Sequence, residues 1–106
     1  MIERISAEQA LSRIEEGVQV LDIRDEASFQ ANHIAGALHL DSHSLSDFLA
    51  AADRDKPYIV CCYHGHSSLN AAQFLLNQDF TEIASLDGGF EQWCRLYPQH
   101  CSQSSA

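Results

Sequence analysis

The chain has 106 residues, room for one domain and not for two. Hydrophobic residues make up 45% and charged residues 20%, the composition of a globular protein and not of a disordered one. Fifteen acidic residues against six basic ones leave a net charge of −9, which argues against nucleic acid or an anionic membrane surface as partner.

In chain order, the start Met1-Ile2-Glu3-Arg4-Ile5 lacks the apolar core of a signal peptide, and no apolar run approaches the roughly eighteen residues of a membrane span. The chain therefore reads as soluble and cytoplasmic. Ser6 followed by Gln9 spells a capping box, Ala7, Ala10, Leu11 and Ile14 repeat at helical spacing, and Gly17 supplies the stop. Val18 to Ile23 reads as a strand. Ser44 to Ala52, with Leu45, Phe48 and Leu49, predicts a short helix before the break at Lys56-Pro57. Tyr58 to Cys62 is continuously apolar, the pattern of a parallel strand covered on both faces.

Helical spacing returns from Ser67 to Gln78 through Leu69, Ala72, Leu75 and Leu76. Ile83 to Leu86 predicts a strand, and Asp87-Gly88-Gly89 turns into a helix carrying Phe90, Trp93 and Tyr97 on one face. The folded domain is expected over residues 1–97. Residues 98–106, polar and aperiodic after Pro98, are expected to fray, with Cys101 an exposed thiol of no role. Strands alternating with helices predict an α/β domain, a central parallel sheet with helices on both faces. Ligands of such sheets bind beyond the carboxyl ends of the strands, which makes Asp22–Phe29, Cys62–Ser68 and Asp87–Gly89 the candidate loops.

The four cysteines, at 61, 62, 94 and 101, follow neither a disulfide framework nor a zinc pattern. Alternation along the strand turns Cys61 and Cys62 to opposite faces, so Cys61 reads as a core residue and Cys94 as a packing residue. Cys62 differs. It ends a buried strand and opens Cys62-Tyr63-His64-Gly65-His66-Ser67-Ser68, a loop that runs straight into a helix N-terminus. Free amides and the helix dipole there favour negative charge and lower a thiol's pKa. Gly65 lets the amides of residues 63–68 curl inward as an anion nest. The pattern predicts a sulfur nucleophile for an anionic substrate, with Cys62 catalytic and the amides of Tyr63, His64, Gly65, His66, Ser67 and Ser68 binding.

Asp22-Ile23-Arg24, then Phe29 with His33-Ile34-Ala35-Gly36-Ala37, then the Cys62 loop, then Gly88-Gly89-Phe90 with Trp93 resemble the rhodanese family. The resemblance covers residues 3–97 and is strongest to its short, single-domain thiosulfate sulfurtransferases. It implies that Cys62 takes the outer sulfur of thiosulfate as a persulfide, releases sulfite, and hands the sulfur to cyanide or a thiol, a thioredoxin-like protein among the candidates. It implies no cofactor. The chain departs from the family at two positions. Many rhodanese loops carry Arg where this chain has Ser67, and the short members usually carry Asn where it has His66. His66 either assists anion binding when protonated or has no role.

Asp22 and Arg24, two apart at a strand end, are expected to form a structural ion pair, with His33 structural beside it. A metal on His64, His66 and the cysteines fits no common ligand spacing, and none is expected. Phosphatase chemistry needs Cys-x5-Arg, and the sixth position after Cys62 is Ser68. The alternative to a thiosulfate enzyme is a relay module that receives persulfide sulfur from a partner protein.

Overall fold

The computed structural model describes residues 2–103. In chain order it runs β1 (Glu3–Ile5), α1 (Ala7–Glu15), β2 (Gln19–Asp22), α2 (Glu26–Ala31), β3 (His33–Ile34), β4 (Leu38–His39), α3 (Leu45–Ala51), β5 (Pro57–Cys61), α4 (Ser67–Asn77), β6 (Glu82–Leu86), α5 (Gly89–Leu96), a 3₁₀ turn (Pro98–His100) and β7 (Cys101–Ser102). Five strands form one parallel sheet in the order β1-β6-β5-β2-β4. Strand alternation divides its side chains between two cores. Val20, Ile59, Cys61, Ala84 and Leu86 pack with α1 and α5 on one face. Leu21, Tyr58, Val60 and Ile83 pack with α3 and α4 on the other. The expected parallel sheet with helices on both faces is the fold of this chain.

Local chemistry accounts for the helix starts. Ser6 and Gln9 form the reciprocal capping box at α1. Asp25 caps α2 by accepting from the Ser28 amide at 3.0 Å. Trp93 is fully buried and Phe90 nearly so, the expected core stripe of α5, and Tyr97 meets Trp93 edge-on with ring centroids 5.0 Å apart.

The expected fraying after Pro98 is corrected at residues 98–102. β7 pairs antiparallel with β3, matching Ile34 to Cys101 and His33 to Ser102. The His100 carbonyl accepts the Ala35 amide at 2.8 Å and the Trp93 indole N–H at 3.4 Å. Cys101, expected to be exposed, is instead partly buried against the α1–α5 core. Backbone hydrogen bonds hold this segment, and they need no apolar pattern. Residues 104–106 of the expected tail lie outside the described residues.

Candidate active site

β2, β5 and β6 end side by side at Asp22, Cys61 and Leu86, so the three loops that follow them meet at one edge of the sheet. Cys62 is the first residue beyond β5 and is 3% exposed. Its Sγ accepts the amide N–H of Gly65 and of Ser68, each at 3.2 Å. The Ser68 amide belongs to the first turn of the eleven-residue α4, so the positive end of that helix faces the sulfur. Burial pushes the Cys62 thiol up, but the Ser68 hydroxyl and the amides of Ser68, Gly65 and His64 outweigh it and leave the thiol below its ordinary value.

Cys61, its neighbour, behaves oppositely. It is fully buried in the α1–α5 core, where burial first and the Asp22 charge second raise its pKa well above normal. One thiol of the adjacent pair is tuned for ionisation and the other against it.

The β6–α5 turn supports the Cys62 loop from behind. Gly88 and Gly89 both have positive φ, 77° and 59°. They let α5 start against the loop, so the Phe90 amide donates to the Cys62 carbonyl at 2.7 Å and the Glu91 amide to the Tyr63 carbonyl at 3.1 Å. The approach is close: a Cβ on Gly89 would lie 2.6 Å from the Cys62 oxygen. Gly65 (φ 94°) faces the same turn, where a Cβ would meet the Gly88 nitrogen at 3.0 Å. Glycines of two loops thus pack backbone on backbone, and the Cys62 loop spends its carbonyls on α5 and its amides on sulfur.

The β2–α2 loop grips the other side. The Tyr63 hydroxyl hydrogen-bonds to the Asp25 carboxylate and lies 2.6 Å from the Ser28 hydroxyl. The Tyr63 hydroxyl and the Ser28 amide and hydroxyl bring the Asp25 carboxyl down to about 2. Beneath them, Arg24 and Asp22 form a buried ion pair with Nη2–Oδ2 at 2.8 Å. Arg24 also donates to the Asn32 carbonyl at 2.6 Å, and its guanidinium lies 4.1 Å from the Phe90 ring centroid. The pair that the spacing of Asp22 and Arg24 predicts is therefore present and buried. His33 is buried, with Nδ1 2.7 Å from the Phe29 carbonyl and its ring stacked on Phe29.

Of the loop side chains, Tyr63, His64, His66 and Ser67 are exposed, whereas Gly65 and Ser68 are buried. His64 pairs with Glu91 on α5 at 2.5 Å, and Glu91 also receives Arg95. Sequence reasoning missed the anchors Asp25, Ser28 and Glu91 and the buried Ser85, whose hydroxyl meets that of Ser68 at 2.7 Å. The capping pattern Asp25-x-x-Ser28 is legible locally; its contact with Tyr63, 35 residues away, is not. Among the described residues, no three His, Cys, Asp or Glu side chains converge as a metal site, and no helix is long and apolar enough to cross a membrane.

The family model of the rhodanese-like domain matches residues 6–96. Curated relatives include the thiosulfate sulfurtransferase GlpE of Pseudomonas aeruginosa (strain LESB58), 51% identical over 98% of this chain and 94% of that protein. The protein of the same name from Stutzerimonas stutzeri (strain A1501) is 58% identical over 90% of this chain and 87% of its own. Among solved structures, the Alr3790 protein of Anabaena sp. superposes with a TM-score of 0.83 at 22% identity, covering 96% of this chain and 94% of that one. With nearly its whole length inside the family model and half its residues shared with those sulfurtransferases, the chain belongs to the rhodanese-like family.

Proposed function

We propose that this protein is a thiosulfate sulfurtransferase in which Cys62 carries the sulfur as a persulfide. The activity rests on the family and on relatives of that name at 50–58% identity. The observation that carries the residue assignment is the pair of amides, Gly65 and Ser68, at 3.2 Å from the Cys62 sulfur at a helix N-terminus.

The Cys62 thiolate attacks the outer sulfur of thiosulfate. An S–S bond forms, the bond to the sulfonate sulfur breaks, and sulfite leaves with the electron pair. The amides of Gly65 and Ser68, already paired with the Cys62 sulfur, stabilise the persulfide anion at little reorganisation cost, with the other amides of residues 63–68 taken to complete the cradle. A thiophile then attacks the outer persulfide sulfur and releases the Cys62 thiolate. With cyanide the product is thiocyanate; with a thiol, such as that of a small dithiol protein of the thioredoxin type, it is a new persulfide. No cofactor takes part in this scheme, and its thiolate suits the reducing cytoplasm.

Thiosulfate should add the mass of one sulfur atom to the protein, and cyanide or dithiothreitol should remove it. Cys62→Ser should abolish both the adduct and thiocyanate formation, while Cys94→Ser and Cys101→Ser keep most of the activity. Substantial turnover in Cys62→Ser would sink the assignment. An adduct that forms from a protein persulfide but not from thiosulfate would instead favour the relay module.

A further inference from the structure

Tyr63, the residue after the nucleophile, is hydrogen-bonded to both elements that flank the Cys62 loop, and the scheme above gives its side chain no part. Its carbonyl accepts the Glu91 amide of α5 at 3.1 Å. Its hydroxyl bonds to the carboxylate of Asp25, the N-cap of α2, and lies 2.6 Å from the Ser28 hydroxyl. The ring between these two holds stands 5.7 Å from the Arg24 guanidinium. A tyrosine 44% exposed could satisfy its hydroxyl with water, yet here the protein supplies two partners.

The protons fit a closed ring. An ionised carboxylate only accepts, so the phenol donates to Asp25. The phenol oxygen is then left to Ser28, whose hydroxyl also lies 2.9 Å from Asp25 Oδ1. The Asp25 carboxyl, brought down to about 2, stays ionised at neutral pH and keeps the acceptor charged. Asp25 itself accepts the Ser28 amide at 3.0 Å, so the tie ends on main chain and not on a free side chain.

We propose that Tyr63 is a positioning residue for the sulfur cradle, its hydroxyl holding the leading half of the Cys62 loop to α2 so that the Gly65 amide stays on the nucleophile. The two amides on Sγ are held by different means. Ser68 lies in the first turn of α4, and the helix sets its amide. Gly65 lies between the end of β5 and the start of α4, in a stretch with no regular structure to fix it. The Gly88 turn blocks Gly65 on the α5 side, and the phenol tie, two residues earlier, holds the chain on the α2 side. When the outer sulfur leaves for the acceptor, the electron pair returns to Sγ, and a donor already in place stabilises it without reorganisation. A donor displaced by about 1 Å does so poorly.

This inference rests on Cys62 being the nucleophile, and the experiment separates the two. Turnover of thiosulfate and cyanide, and iodoacetamide alkylation against pH, would be measured for wild type, Tyr63→Phe, Ser28→Ala and the double variant, with Cys62→Ser giving the alkylation background. Tyr63→Phe keeps the ring and deletes only the tie. It should lower kcat by about tenfold. It should also raise the alkylation midpoint by about half a unit, a roughly threefold loss of thiolate, because the loosened Gly65 bond favours the charged sulfur. Ser28→Ala should show about half of each effect, and the double variant no more than Tyr63→Phe alone. The reason is that, among the described residues, the Ser28 hydroxyl bonds only to Asp25 and the phenol. Ser28→Thr, which keeps the hydroxyl, should return both readings to wild type. A kcat and a midpoint unchanged in Tyr63→Phe, whatever its thermal stability, would overturn the proposal, as would effects that add in the double variant. A missing persulfide on wild type after thiosulfate would overturn the Cys62 assignment instead.

Discussion

Gly89→Ala tests whether the α5 start holds the sulfur cradle in place. Gly89 sits at φ 59°, where a side chain costs about 1–2 kcal/mol of backbone energy. Its new Cβ would lie 2.6 Å from the Cys62 carbonyl oxygen, which is main chain and cannot rotate aside. Relief means moving α5 off the loop and weakening the Phe90 and Glu91 amide bonds to Cys62 and Tyr63, each contributing about 0.5–1.5 kcal/mol. Together these give a loss of about 2–5 kcal/mol. At about 2.1 cal/mol/K per residue the unfolding entropy of this chain is roughly 0.2 kcal/mol/K, so Tm should fall by about 10–20 °C.

The same displacement frees the Cys62 and Tyr63 carbonyls that tie the loop to α5, and with them the loop whose amides face the sulfur. Turnover of thiosulfate and cyanide, measured well below the new Tm, should fall by about 10–100-fold, the scale of a misplacement near 1 Å. Gly17→Ala is the control. Gly17 also has positive φ, 101°, but a Cβ there meets nothing within 4 Å. It should lose only the backbone cost, about 1–2 kcal/mol, and keep wild-type turnover. Urea denaturation reads both stabilities. Equal losses for the two variants, with full turnover in Gly89→Ala, would refute the reasoning.

Asp22→Asn should destabilise the protein by about 3–5 kcal/mol in urea, because it leaves the buried Arg24 guanidinium without its counter-ion. Adding Arg24→Met should recover most of that loss, and a cost under about 1 kcal/mol for Asp22→Asn alone would mark the pair as dispensable. The lowered thiol pKa of Cys62 predicts a pH-dependent stability with a fixed sign. An acid with a depressed folded pKa contributes stability above its unfolded value, near 9 for a thiol, and loses it as pH falls through the folded value. The urea-measured gap between wild type and Cys62→Ser should therefore widen as pH rises from neutrality through 9. A gap constant across that range would show that folding does not shift the thiol.

The sequence by itself determined what short-range rules can encode. Tyr58 to Cys62 is apolar on both faces, Gly65 permits the turn, and helical spacing resumes at Ser67, so the strand, loop and helix around Cys62 follow from adjacent residues. Strand alternation likewise separates Cys61 from Cys62 before any packing is known. Tertiary structure decided the rest. β3 and β7 have two residues each, too few for any periodicity, and β7 exists because β3 and the Trp93 indole lie where a polar segment can bond to them. The grip of Asp25 and Ser28 on Tyr63, the seating of Gly65 against Gly88, and the meeting of Ser68 with Ser85 join residues 17 to 38 positions apart. Those partners are ordinary polar residues and glycines whose local pattern names only a turn or a cap. Only the parallel order β6-β5-β2 brings the three loop ends to one edge, because each strand's neighbour comes from a distant part of the chain.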